Sequence, residues 1–368
     1  MNKPESPGTT KPPPNAVGFL RVVLATFVIY THAHLLGGFS PEWMHRLTDG
    51  RLSLGTLAVQ CFFVISGWLL IHSWRRRPAL WPYLRNRAAR LLPAWWVCLV
   101  VTALVFAPIV FFTSRSVDGF WLQEPGPISY IFKNLIFPRS QIAIGQTLST
   151  NAWGSDWNGS LWTLFYEGSA YLLLAAAGLA GLLRRRASWG LEIILGLLLV
   201  NALWQLTATP NIAGRLFDTP GKNLCLYFAG GMAVVLAPAT WRERLTSKTA
   251  GCICALLLIP VWKSGAGPAL SPMLLPSILL ALATNLPLRQ WESRVGGDYS
   301  YGLYVYAYPV QQMLAHFGVQ KAGFSLYLLV GFVTTLAFAV ASWKWIESPA
   351  LRLKSHVARQ GNTAPSLA

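Results

Sequence analysis

The sequence predicts an all-α, polytopic membrane protein of about ten transmembrane helices with both termini in the cytoplasm. Three observations predict it. Of 368 residues, 54% are hydrophobic and only 12% charged, against about 25% charged in a soluble chain. Apolar stretches near the ~20 residues that a bilayer core requires recur along the chain. The basic residues concentrate in alternate connections between those stretches, as the positive-inside rule expects of a multi-pass protein.

Residues 1–16 are polar and Pro-rich, with prolines at 12, 13 and 14, and read as a disordered cytoplasmic tail. The predicted helices cover 17–36, 53–72, 91–113, 161–183, 190–208, 222–238, 248–262, 268–286, 299–317 and 324–345. Residues 17–350 therefore form one membrane domain, and 351–368 a second cytoplasmic tail. The first stretch has no small-residue cleavage signature and reads as retained. The seventh is short and the eighth contains Pro272 and Pro276, so the count depends most on 248–286. Orientation follows from Arg75, Arg76, Arg77, Arg85, Arg87 and Arg90 after the second stretch, Arg184, Arg185 and Arg186 after the fourth, and Arg242, Arg244 and Lys248 after the sixth. A bacterial-type inner (plasma) membrane is the expected location. The longest connection, about 114–160, holds the low-charge segment Ile128–Phe137, expected at the interface or re-entering the bilayer.

Composition narrows the function. A net charge of +17, from 30 Lys+Arg against 13 Asp+Glu, would suggest nucleic acid in a soluble chain. Here the charge lies between apolar spans, so membrane lipids are the expected partners and nucleic acid is not. The 17 Trp, 12 Tyr and 18 Phe suit interfacial belts as well as a core. Cys61, Cys98, Cys225, Cys252 and Cys254 lie in or beside apolar runs without ordered Cys/His spacing. They read as core thiols, with neither a metal site nor a disulfide framework. There is no internal repeat, GxSxG, P-loop, GxGxxG or HExxH pattern, and the sequon Asn158-Gly159-Ser160 is too short to carry weight.

The informative pair is Arg21 and His32, both inside the first apolar stretch. Eleven residues at 100° each leave them ~20° apart around a helix and ~16 Å apart along it. One face then carries a cation near the cytoplasmic surface and an imidazole in the outer half of the membrane, where ionisable groups usually serve a pathway or a reaction. Glu167, about six residues into the fourth helix from the outer face, is expected at the depth of His32. An imidazole beside a carboxylate is an oriented general base for a hydroxyl proton. His34 points ~160° away from His32 and reads as a bystander. Arg87 and Arg90, spaced i, i+3 before Pro93, share a helix face that suits a phosphorylated ligand; topogenic charge and anionic headgroups are the plainer explanation of such clusters. Phosphates at one mouth and a reactive end near His32 fit a long acyl carrier such as acyl-CoA. Composition alone does not choose it over an ion-coupled transporter.

Leu20-Arg21 through His32 resembles the first-helix Arg-x10-His signature of the acyltransferase 3 family, integral membrane O-acyltransferases. The likeness continues in order through Phe62–Leu70 (FFVISGWLL), Tyr83–Pro93 (YLRNRAARLLP), Asn158–Glu167 (NGSLWTLFYE), Ser300-Tyr301-Gly302-Leu303-Tyr304 with Pro309, and Glu347 with Pro349. It spans roughly residues 17–350. The resemblance implies ten helices and transfer of an acyl group, usually acetyl, from cytoplasmic acyl-CoA to a carbohydrate hydroxyl, with acetyl-CoA as donor and a polysaccharide or glycolipid as acceptor. It implies His32 as catalytic base, Glu167 as its support, Arg21 as a pore-lining partner, and Arg87 and Arg90 as contacts for the CoA phosphates. Ser66 and Gly67 then allow close approach near the thioester or tight helix packing, and Tyr166, Ser300, Tyr301 and Glu347 line or brace the pore. Two residues depart from the pattern. Ala307 stands where a histidine is frequent, leaving His32 alone, and Phe165 replaces a frequent proline before Tyr166-Glu167. No further soluble domain follows the helices, so the membrane core and the 114–160 connection are expected to handle the acceptor. The alternatives are a proton-coupled or glycolipid transporter, disfavoured because no repeat is visible, and a structural subunit of an export complex, which leaves Arg21 and His32 without a purpose.

Overall fold

Backbone within hydrocarbon must satisfy its own hydrogen bonds, and among the described residues this chain does so with helices alone. The structure, a computed structural model, describes residues 16–114, 119–136, 138–184, 189–207, 223–288 and 291–352. The expected tails, apart from their innermost residues, lie outside the described residues, as do Phe137, Arg185 and Arg186.

The first half of the chain supplies α1 (Val17–Leu36), the short α2 (Trp43–Leu47), α3 (Leu54–Arg76), α4 (Leu80–Val101), α5 (Ala107–Ser114), α6 (Pro127–Asn134) and α7 (Trp162–Leu179). The second half supplies α8 (Trp189–Thr207), α9 (Leu224–Leu236), α10 (Ala239–Leu245), α11 (Lys248–Lys263), α12 (Gly267–Asn285), α13 (Trp291–Val295), α14 (Ser300–His316) and α15 (Phe324–Ser342). A π-helical turn, Thr102–Phe106, joins α4 to α5, and another, Trp343–Glu347, extends α15. Start signals are local: the Ser53 hydroxyl accepts from the Thr56 N–H at 3.0 Å, and the Ser247 hydroxyl from the Ala250 N–H at 3.1 Å.

All ten predicted stretches coincide with helices. By length and composition six are apolar enough to cross a membrane alone: α1, α3, α4 with α5, α8, α12, and α15 with its π-turn. A seventh follows if α10 and α11, bent by 54°, count as one span. The remainder are short or carry polar groups. In α14 every residue from Ser300 to Gln312 is buried, so its tyrosines and glutamines face protein rather than lipid, and hydropathy understates it.

The third helix departs from expectation. It begins at Leu80 rather than 91, so Arg85, Arg87 and Arg90 lie on the helix, not in a connection. Pro82 sits in its first turn, where a proline costs no hydrogen bond, and arginine is a good helix former. Hydropathy registers only the apolar remainder. The cysteines divide as well. Cys61 and Cys98 are buried, whereas Cys252 is exposed and Cys225 and Cys254 intermediate. An apolar outer face meets hydrocarbon in a membrane, so an apolar run does not imply a core position.

α14 and α15 pair with each other and with α1, and α1 also packs on α3. α3 crosses α9, which leans on α8 and α12, while α11 lies along α12. The α3–α9 crossing is closed by two glycines. A Cβ on Gly67 would stand 2.0 Å from the Phe228 carbonyl oxygen, and one on Gly231 2.1 Å from that of Val64. Of its two sequence-level readings, Gly67 therefore takes helix packing. Gly67→Ala is expected to destabilise the protein by about 1–3 kcal/mol through overpacking, read as a lowered thermal midpoint in detergent.

The long connection between α5 and α7 folds inward. On α6, Ile128 and Phe132 are exposed while Tyr130 and Asn134 are buried, an arrangement suited to the interface. Beyond it, Trp157 is fully buried and donates to the Thr147 hydroxyl at 2.9 Å. Arg139 pairs with Asp156 at 2.9 Å. Gln312 of α14 donates to the Asp156 carbonyl at 2.8 Å, and its own side-chain oxygen accepts from Asn151 at 2.8 Å. Asn158 is buried and donates to the Val305 carbonyl at 3.0 Å, so the sequon asparagine is structural. Gln312→Ala leaves the Asp156 carbonyl without this donor, while Asn151 keeps its hydrogen bond to the Gln312 backbone carbonyl at 2.9 Å. The substitution is expected to cost about 1–3 kcal/mol and to speed amide exchange across 138–161.

Candidate active site

Four helices and the turn before α14 bring charge together at one end of the bundle. Arg21 of α1 and Arg90 of α4 both donate to the same Asp298 oxygen, Arg21 at 2.6 Å. The other Asp298 oxygen accepts from the Ser300 N–H at 3.2 Å and from the Ser300 hydroxyl. Arg90 also reaches Glu347 at 3.5 Å, and Ser342 donates to that carboxylate at 3.0 Å. The π-turn after α15 carries Glu347, which is buried; single π-turns occur frequently at functional sites. Burial opposes ionisation of Asp298, yet the Arg21 and Arg90 guanidiniums outweigh it and hold the carboxyl well below the usual carboxylate range.

Above this cluster lies a cavity of about 60 Å³ lined by Arg21, Ser66, Thr163, Glu167, Ser300 and Tyr301, among others. Glu167 accepts a hydrogen bond from Tyr171 one turn further along α7. The Arg87 guanidinium sits 5.9 Å from the Tyr171 ring centroid, and its Nε is buried without a hydrogen-bond partner among the described residues. Tyr301 donates to the Leu91 carbonyl at 2.8 Å. Tyr166 packs on Trp162 and Phe165 and lines neither this cavity nor the next.

Toward the other end of α1 opens a larger chamber, about 510 Å³, lined by His32, Arg51, Gln60, Trp162, Tyr227 and Trp262, among others. The His32 ring lies edge-on to Tyr308, with centroids 5.0 Å apart, and its Nδ1 has no hydrogen-bond partner among the described residues. Several polar atoms in the residues around it are likewise unpartnered: Gln60 Oε1, Ser160 Oγ, Asn223 Oδ1, Trp262 Nε1 and the Tyr308 hydroxyl. Val59 and Tyr304 line both cavities, so the two meet at that pair. The Tyr304 and Thr163 hydroxyls are hydrogen-bonded there at 2.6 Å.

The structure thus brings together Arg21, Arg90, Glu347, Ser300, Tyr301, Ser66 and Glu167 at one level, and places His32 at the other end of the joined cavities. Glu167 is not the neighbour of His32. Gly159 is the residue of that block that abuts Tyr308, the tyrosine against His32, and Glu167 lies eight residues further on, about 12 Å along a helix. The expected common depth assumed that α7 starts at the membrane surface. Instead the chain re-enters before α7 begins, with Trp157, Asn158 and Ser160 already buried. His34 lies apart from both cavities: its Nδ1–H donates to the Ser40 carbonyl at 2.7 Å and it is in neither lining. Sequence reasoning missed Asp298, Thr163, Tyr171 and Tyr304. For Asp298 a signal existed, one of only 13 acids placed two residues before a helix-starting serine.

The family profile described as an acyltransferase domain matches residues 15–344. An O-acetyl transferase of Shigella phage Sf6 is 25% identical, over 90% of this chain and 95% of its own length. Nodulation protein 10 of Rhizobium leguminosarum bv. viciae is 27% identical, over 95% of this chain and 97% of its own. No solved structure matches.

Proposed function

Because the chain belongs to the acyltransferase 3 family and is an O-acyltransferase, we propose that it transfers an acetyl group from acetyl-CoA to a hydroxyl of a carbohydrate, in a polysaccharide or a glycolipid. The name of the phage relative supports acetyl as the group transferred. The observation that carries the reading is the meeting of two unlike cavities at Val59 and Tyr304. One is narrow, with Arg21 and Glu167 in its lining and the Asp298 ion pairs beside it. The other is wide, polar and aromatic, the character of a site that orients a ligand through a few placed polar groups.

We place the ten helices across a bacterial inner membrane with both termini in the cytoplasm, which sets the arginine end against cytoplasmic donor and the His32 chamber against the acceptor. Acetyl-CoA would supply an activated thioester. The orphaned Nε of Arg87 fits an anionic group arriving at that mouth, so Arg87 is the residue assigned to the CoA phosphates. Arg21 and Arg90 are already engaged by Asp298, and Arg90 by Glu347 as well. Their part is to fix the walls through which the thioester arm passes. Unpartnered Gln60, Asn223 and Trp262, beside the Trp162 ring, suit sugar hydroxyls and a sugar face. His32 takes the acceptor hydroxyl proton as the hydroxyl oxygen bonds to the acetyl carbonyl carbon; the carbon–sulfur bond then breaks, and CoA leaves as the thiol with the proton that His32 returns.

The test supplies membranes containing the protein with acetyl-labelled CoA and host surface glycans. Label entering glycan and leaving it under mild alkali, as an O-acetyl ester does, is the expected result. Labelled CoA that binds while no label reaches any glycan would count against a carbohydrate acceptor.

A further inference from the structure

At the end of α3, away from the cavities above, a third and a fourth cavity adjoin. One is a crevice of about 550 Å³ between α8, α9 and α12, roofed by α10 and lined by Leu195, Leu198, Val234, Trp241 and Met273, with other apolar or small residues. Leu195, Met273 and Trp241 are also exposed on the outer surface, so the crevice opens sideways, toward hydrocarbon in a membrane. The other is a pocket of about 400 Å³ whose polar lining is His72, Arg75, Arg76 and Arg242. Ala237 and Pro238, the turn between α9 and α10, line both.

The turn and α10 set this geometry. Pro238 ends α9 and bends the chain into α10, which carries Trp241 toward the apolar crevice and Arg242 toward the basic pocket. Arg244 stacks on the Trp241 ring at 5.7 Å. Arg75 is anchored by donating to the Leu183 carbonyl at 3.0 Å and the Val235 carbonyl at 3.5 Å, which fixes one wall of the pocket, while His72, Arg76 and Arg242 are exposed around it. Among the described residues no acid lines either cavity; Glu192 on α8 and Glu243 on α10 are exposed and belong to neither lining.

We propose that this pair of cavities is a binding site for an anionic phospholipid, with the phosphate in the Arg75–Arg76–Arg242 pocket and an acyl chain in the crevice below. Charge complementarity selects the headgroup, since basic pockets between membrane helices hold anionic headgroups. Continuity with an apolar crevice selects a lipid over a soluble phosphate, which would leave the crevice unfilled. The site does not depend on the catalytic reading. It lies on α9, whose Phe228 carbonyl closes against Gly67, so a bound lipid also holds the α3–α9 crossing.

The test is native mass spectrometry of the full-length protein in detergent, with phosphatidylglycerol and phosphatidylcholine of equal chain length. Phosphatidylglycerol is expected to be retained about tenfold or more over phosphatidylcholine. In Arg76→Gln/Arg242→Gln that preference should vanish, and in Arg76→Lys/Arg242→Lys it should persist. Leu195→Trp/Met273→Trp, at exposed positions that tolerate bulk, should weaken long-chain phosphatidylglycerol while leaving its dihexanoyl form unaffected. An unchanged preference in the glutamine variant overturns the proposal. So does displacement of phosphatidylglycerol by inorganic phosphate or CoA at equal concentration, which would make the pocket a soluble-phosphate site.

Discussion

Membranes carrying His32→Ala protein at the wild-type level are expected to transfer acyl groups about 10²–10⁴-fold more slowly, the usual contribution of a positioned general base. His32 lines the wide chamber, its Nδ1 has no partner among the described residues, and the neighbouring Tyr308 ring limits its rotation. Among the described residues no carboxylate lines that chamber. His34→Ala provides the control. Its ring is held by the Ser40 carbonyl and packs on Tyr30 and Phe324, and its transfer rate should stay near wild type. The measurement is the initial rate of label transfer at saturating donor for the three proteins. A His32→Ala rate equal to wild type would move the base elsewhere.

Asp298→Asn is expected to be the most destabilising of the conservative substitutions, at about 3–5 kcal/mol, because it leaves two guanidiniums facing a neutral group in a largely buried site. The amide keeps the size of the side chain and an oxygen for the Ser300 N–H, which isolates the effect of charge. The pH dependence has a definite sign. The native carboxyl titrates below the usual range, so its contribution is complete above the unfolded-state value of about 4 and is lost only as pH falls through the lower native value. Thermal unfolding in detergent should therefore give a gap between wild type and Asp298→Asn that is constant from about pH 5 to 8 and closes below about pH 4. A gap already closing near neutrality would mean that the arginines do not hold the carboxylate.

Local regularities made much of this legible in the sequence. A period of 3.6 residues placed Arg21 and His32 on one face and paired Arg87 with Arg90, and hydropathy located each long helix. What it missed depends on distant partners. Asp298 meets Arg21 across 277 residues and Arg90 across 208, and no local pattern encodes such a meeting. The depth of Glu167 was misread for a related reason. Hydropathy marks where apolar sequence begins, but Asp156, Asn158 and Ser160 are polar and buried, with Asp156 and Asn158 held by Arg139, Gln312 and the Val305 carbonyl. Tertiary hydrogen bonds, not apolarity, carry that stretch inward, and α7 therefore starts inside the protein rather than at its edge. α14 shows the same limit, since its polar groups are tolerable only because protein surrounds it on every side.

The measurement closest to the central claim, that donor and acceptor cavities meet at Tyr304, is photo-crosslinking with a non-transferable acetyl-CoA thioether whose acyl part carries a diazirine. Peptide mapping should find adducts on Val59, Ser66, Thr163 or Tyr304, lost when excess acetyl-CoA competes. Adducts confined to lipid-facing residues such as Leu172 or Leu199, with none at the junction, would contradict it.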